Sequence, residues 1–312
     1  MTATPAEAAR EILLAAIRAV DPRVLTANAL RGWRSGLAPR SVDVIAAGKA
    51  AGTMVRGAGD ALGDALRGGV AITPGADSPM PGGVHAFTGG HPMPNEEGAR
   101  GARAAVRLLG EAGPSSRLLV LISGGASALM TMPASGITIA DIVAMSGALM
   151  ASGADIRELN CVRKHVDQLK GGLMARVAAG RTIRALVLSD VIGDPLDVIA
   201  SGPLVPDPTT YDDAIRVLRV RRVWDAVAPA VREHLLAVVR GPQRVVVEVE
   251  DGFRLGAGHV VGSNSRAGMP AGCSADRVME RSPTTTTTHS AMVTVAAAHL
   301  IGVEESLFRA VV

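Results

Sequence analysis

The chain has 312 residues, 48% hydrophobic and 20% charged, which supplies a substantial core and excludes a disordered composition. Only 2% are aromatic, so the core is aliphatic, and modules that read nucleic acids by base stacking have no platform. The net charge of +3 is dispersed, two cysteines make no disulfide framework, and no apolar run is long enough to span a bilayer. These totals predict a cytoplasmic protein with neither a nucleic-acid nor a membrane partner.

The opening "MTATPAEAAREILLAAIRAV" predicts a helix rather than a signal peptide. Thr4, Pro5 and Glu7 fit the N-cap, first and third positions. Ile12, Leu13, Ala16, Ile17 and Val20 give it an apolar face. "SVDVIAAGKAAG" reads as strand, turn and helix, with Val42, Val44 and Ile45 in the strand and the helix running to about Leu66. "GVAIT" at 69–73 is a second strand, followed by a short strand and a Gly/Pro loop. Asn95 then caps a helix whose positive first turn holds Glu96 and Glu97.

"RLLVLISGGASALM" is a buried strand that runs into five small residues, 123–127. Helical segments follow near 139–151 and 155–179, then the strand "TIRALVLSDVIGDP", a helix starting in "PTTYDDAIRVL" and another over 225–239. Continuous apolar strands alternating with helices predict an α/β fold: a mostly parallel, doubly wound, Rossmann-like sheet with helices on both faces. Ligands of such sheets sit at the carboxyl ends of the strands.

Beyond 240 the pattern changes. "QRVVVEVEDG" and "AGHVVGSN" read as strands, but after Asn264 an Arg/Ala/Gly/Thr-rich text without apolar periodicity reads as linker or tail, with one helix possible over 291–312. The expected division is an α/β domain over 1–240 and a small irregular remnant over 241–312.

Several loops carry residues suited to chemistry. Ser123, Gly124, Gly125, Ala126 and Ser127 either cradle an anion with backbone N–H groups and two hydroxyl donors, or form a tight turn that packing alone requires. They match neither G-x-G-x-x-G nor the G-x-x-x-x-G-K-[ST] phosphate loop, which counts against a Rossmann dehydrogenase, and G-x-S-x-G is absent as well. Of the 32 basic residues only Lys49, Lys164 and Lys170 are lysine. Lys49 lies just past a strand end, where a compact ammonium and a guanidinium are not interchangeable. Arg163, Lys164 and Lys170 make a cationic stripe if their segment is helical, either a binding surface or a solvated face. Asp190 and Asp194 follow a strand and suit Mg²⁺ held with substrate phosphates, proton acceptance from a hydroxyl, or simple turn formation. Asp197 is a weaker third. His91 sits on a loop shaped by glycine and proline.

Taken together, "AAGKAAG" (46–52), "GGHPMPNEEG" (89–98), "LISGGASALM" (121–130), "IRELNCVRKHVDQLKGG" (156–172) and "LSDVIGDPLDVIASGPLVPDPTTYDDA" (188–214) resemble the glycerate 2-kinase family, whose C-terminal half is called the MOFRL domain. The resemblance implies ATP-dependent phosphorylation of D-glycerate to 2-phosphoglycerate, with ATP and Mg²⁺. It implies Lys49 on the transferring phosphoryl group, the 123–127 turn and His91 on an anionic group, Arg163 and Lys164 on glycerate, and Asp190 with Asp194 for metal or hydroxyl. A C-terminal domain closes the cleft in that family. The match fades after Asn264, so that domain is expected to be truncated or degenerate here, which predicts reduced or lost turnover and an apolar patch that favours a homodimer. A non-catalytic anion- or nucleotide-binding remnant and a hydroxypyruvate reductase are the alternatives.

Overall fold

A strand covered on both faces must be apolar at successive positions, and several segments of this chain meet that requirement. The computed structural model describes residues 4–238 except 35, 76–78, 112–115, 179–180 and 192, together with the backbone of 254–255 and 258–261. Five strands lie parallel in one sheet: β1 (Val42–Ala47), β2 (Leu66–Thr73), β3 (Val84–Thr88), β4 (Arg117–Ser123) and β5 (Thr182–Leu188). Their order is β3-β2-β1-β4-β5. Two short antiparallel strands, β6 (Arg254–Leu255) and β7 (Gly258–Val261), extend it, with β7 against β5. The doubly wound α/β reading describes this sheet. The expected strand at 243–252, the tail, the terminal helix and the division at 240 lie outside the described residues.

Side-chain alternation along the strands builds two apolar layers. On one face Ile45, Val120, Ile122 and Val187 pack with α4 (Glu96–Glu111), α5 (Ala126–Leu129) and α8 (Leu173–Val177). On the other, Val44, Ala46, Leu119 and Leu121 pack with α2 (Pro22–Leu30) and α3 (Ala51–Leu62). A third cluster joins α6 (Ile139–Ala151), α7 (Ile156–His165), α9 (Tyr211–Val220) and α10 (Pro229–Val238) through residues such as Met145, Val162, Leu218 and Leu235.

Local signals set most helix starts. Thr4 and Glu7 form the capping box of α1 (Pro5–Ala19), and Asn95 accepts from the Gly98 N–H at 2.8 Å at the start of α4. On α1, however, Ile17 is 43% exposed, so periodicity identified an apolar side without fixing what covers it. The sequence reading also lacks α2, although Asp21 caps it and Pro22 takes its first position.

The segment expected as one helix over 155–179 is two. α7 ends at His165, a turn carries residues 166–172, and α8 begins at Leu173. The cause lies in Gly171 and Gly172, both at positive φ, and in Asp167, whose carboxylate accepts from the Leu169 N–H at 2.8 Å.

Asp43 is fully buried inside β1. Its carboxylate bridges Arg67 of β2 and Arg181 beside β5, so one anion ties together segments on either side of β1.

Register decides where the loops meet. Ala47 pairs with both Ile72 and Ile122, and Ser123 pairs with Leu188, so β1, β4 and β5 end flush. The connection order reverses between β1 and β4, which makes their carboxyl ends the topological switch point.

Candidate active site at the strand ends

The loop after β1 is tied to the turn after β4. The Lys49 N–H donates to the Gly124 carbonyl at 2.9 Å, and the Ala50 N–H donates to Ser123 Oγ at 3.0 Å. Gly48 has φ 130°, and a Cβ there would collide with the Ser123 side chain. Ser123 is therefore a buried tie between two loops, its Oγ accepting from the Ala50 N–H.

This tie places Lys49 over the glycines. A Cβ on Gly125 would lie 3.4 Å from Lys49 Cγ and 2.8 Å from His91 Cδ2, and one on Gly124 would strike the Asp190 carboxylate. Lys49, His91 and Asp190 are all exposed. Loops from three strands thus bring an ammonium, an imidazole and a carboxylate around two bare glycines. Partial burial lowers the His91 pKa most, Lys49 lowers it further, and Asp190 raises it, with a net shift below the ordinary imidazole range. A neutral imidazole between a cation and a carboxylate can donate or accept a hydrogen bond at neutral pH.

Ala126 and Ser127 open α5, a helix of only four residues. Ser127 Oγ lies 3.0 Å from Ser201 Oγ. Ser127 also lines a pocket with Pro94, Thr131, Arg163, Asp167 and Lys170. Arg163 is half-buried there, and its Nε donates to Ser146 Oγ at 3.4 Å. Among the described residues no carboxylate lies within ion-pair distance of it.

The other two cations behave differently. Lys164 is buried against Asp207 at 3.2 Å, and Lys170 is buried on Asp167, also donating to the Met130 carbonyl at 3.1 Å. The expected stripe of Arg163, Lys164 and Lys170 does not form, because Lys170 lies beyond the end of α7 and Lys164 faces Asp207.

Asp194 lies in the same loop as Asp190, half-buried, with φ 50°. No group of three or more His, Cys, Asp or Glu side chains that could hold a metal occurs among the described residues. Sequence reasoning did not single out Asn160, Asp167, Ser201 or Asp207. Asp167 had a visible signal, an acid three residues before Lys170. The others become neighbours only through tertiary contacts.

The chain is 38% identical to the glycerate 2-kinase of Pyrococcus horikoshii over 234 residues, which are 72% of this chain and 52% of that protein. It is 37% identical over 209 residues to an Agrobacterium vitis protein named as a hydroxypyruvate reductase, covering 67% of this chain and 47% of the other. The crystal structure of a glycerate kinase from Thermotoga maritima superposes with a TM-score of 0.67 at 35% identity, over 76% of this chain and 55% of that one. The chain thus spans about half the length of these relatives. A family model matches residues 8–236, a span that contains Lys49, His91, the 123–127 turn, Arg163 and Asp190, and the chain belongs to that family, described as Domain of unknown function (DUF4147).

Proposed function

We propose that this chain provides the phosphoryl-transfer site of a glycerate 2-kinase, binding ATP and D-glycerate and yielding 2-phosphoglycerate and ADP. The observation that carries this reading is the convergence of Lys49, His91 and Asp190 on Gly124 and Gly125 at the switch point. Kinship with proteins named as glycerate 2-kinases supports it. Phosphoryl transfer asks a protein for positioned charge rather than covalent chemistry. The 2-hydroxyl oxygen forms a bond to the terminal phosphorus, the bond from that phosphorus to the oxygen of ADP breaks, and the hydroxyl proton leaves to a carboxylate or to solvent.

In this reading Lys49 offsets charge on the transferring group. The bare turn at Gly124 and Gly125 lets that group approach the backbone, and neutral His91 offers one further hydrogen bond. Asp190 serves Mg²⁺ or the attacking hydroxyl. The donor set fits such an ion only in part, because one exposed carboxylate leaves its other ligands to phosphate oxygens and water, the usual way Mg²⁺ is held. Asp194 is a second carboxylate of the same loop. Arg163 takes the glycerate carboxylate. Lys164 is assigned to Asp207 instead. The two cysteines in the chain suit a reducing cytosol.

The test is a coupled assay of ADP release from ATP and D-glycerate with this chain and with Lys49→Ala. Turnover that Lys49→Ala lowers by about a hundredfold or more is the expected result. Turnover equal in both proteins, or none in either, sinks the assignment. Because one relative carries a hydroxypyruvate reductase name, the same preparation is assayed for NADH oxidation with hydroxypyruvate. Activity there would replace the kinase reading.

A further inference from the structure

A chain of side-chain hydrogen bonds runs from the loop after β5 into the pocket beside Arg163, and its direction is fixed at one end. The Val198 carbonyl can only accept. Asn160 places Nδ2 3.2 Å from it, so the amide oxygen faces the other way, toward Ser201. Reversing the amide would set two acceptors against each other in the interior, since Asn160 is 3% exposed.

Asn160 Oδ1 is therefore an acceptor, and Ser201 Oγ donates its only proton to it at 3.0 Å. Ser201 then has lone pairs alone to offer to Ser127 Oγ, 3.0 Å away. Ser127 must donate. Its proton is held on Ser201, and what remains for the pocket it lines is the acceptor side of its oxygen.

The backbone around Ser201 is held in an unusual conformation. Ala200 and Ser201 have φ 54° and 59°, the left-handed region that residues with a Cβ rarely occupy. Hydrogen bonds from the Gly171 N–H to the Ser201 carbonyl at 3.0 Å and from the Gly172 N–H to the Gly202 carbonyl at 2.7 Å keep it there. Such a geometry persists where its surroundings over-determine it, and it delivers the Ser201 hydroxyl, fully buried, between Asn160 and Ser127.

We infer that Ser127 is a specificity-determining acceptor for a neutral substrate hydroxyl, and that Ser201 and Asn160 are positioning residues that set its polarity. In this inference Ser127 is not the donor to an anion that its place in the turn suggested, because an acceptor repels phosphate and carboxylate oxygens. A serine oxygen accepts a hydrogen bond but is too weak a base to take a proton. It therefore suits the hydroxyl that keeps its proton, which on D-glycerate is the 3-hydroxyl. Arg163, in the same pocket, supplies the cation for the adjoining carboxylate. The inference rests on the glycerate reading proposed above.

D-lactate has the same carboxylate and 2-hydroxyl but a methyl group in place of the hydroxymethyl. Isothermal titration calorimetry with this chain should give D-glycerate about three- to tenfold tighter than D-lactate, the contribution of one hydrogen bond. Ser127→Ala should bring the ratio to about one. Ser201→Gly should lower the ratio without bringing it to one, since the freed Ser127 hydroxyl can then donate as well as accept. Glycine adopts the same φ freely, but the melting temperature should fall modestly because Asn160 Oδ1 loses its donor. Combining the two should leave the ratio where Ser127→Ala alone puts it, because Ser201 acts through Ser127.

If Ser201→Gly leaves the ratio at its natural value while Ser127→Ala removes the preference, the relay is wrong. If the natural chain binds both acids equally, Ser127 is not the discriminator, while the kinase reading survives. If D-glycerate does not bind at all, that reading falls and this inference with it. Neutron diffraction provides a readout independent of any ligand: a deuteron between Ser127 Oγ and Ser201 Oγ is expected, and one directed into the pocket overturns the assignment.

Discussion

The three lysines separate two regions of opposite character. Lys49 is exposed at the strand ends, with a glycine under its stem and His91 and Asp190 close by. Lys164 and Lys170, at the end of α7 and in the turn after it, are buried on Asp207 and Asp167. The same ammonium serves different ends because the surroundings differ. A cation removed from water needs a permanent carboxylate, whereas one left at a solvated strand end keeps its charge available to a ligand.

Breaking a buried pair on one side should have the largest effect. Asp167→Ala leaves the Lys170 ammonium without its counter-charge and is expected to lower the unfolding free energy by about 3–5 kcal/mol in urea titrations. Replacing both residues with apolar side chains of similar volume should restore most of the loss. A small effect of the single change would dissolve the contrast between the regions.

Lys49→Ala should do the opposite, leaving the melting temperature in place and lowering kcat/KM by about a hundred- to a thousandfold, the range for a lost group that stabilises developing charge. A fall in stability as large as that of Asp167→Ala would make Lys49 a structural residue as well.

A smaller effect sharpens the description of the exposed region. Lys49 lowers the His91 pKa and Asp190 raises it. Followed by NMR, the imidazole titration should therefore move up in Lys49→Met and down in Asp190→Asn. Because its folded pKa is lowered, the folded state holds fewer protons on this imidazole than the unfolded chain does. The stability linked to His91 is present above the ordinary imidazole range and is lost as pH falls through the folded value. If neither variant moves the titration, the three groups do not share a site.

The smallest effect belongs to an ion pair on the open surface. Arg100 and Glu97 meet at 2.6 Å on α4, with the arginine side chain 64% exposed, and Glu97→Gln should cost no more than about 0.5 kcal/mol. Against Asp167→Ala, this difference measures what burial adds to one and the same pairing of charges.

Much of this was legible in the residues. Continuous apolar runs gave the parallel sheet, the caps at Thr4 and Asn95 gave helix starts, and small residues past two strand ends marked where a ligand could approach. These signals are local: they depend on neighbours a few positions away, and the sequence states those neighbours outright. Lys49, His91 and Asp190 could be nominated singly because each stands in a loop just past a strand.

Tertiary structure alone decided the rest. Strand order and register brought the three loops to one point, and they made Ser123 a buried tie between two of the loops. Partners 41 to 74 positions away turned Lys164 into a structural cation and gave the Ser127 hydroxyl its direction. The physical reason is that the availability of a charge or a proton depends on what surrounds it in space, and distant segments supply those surroundings only after the chain has folded.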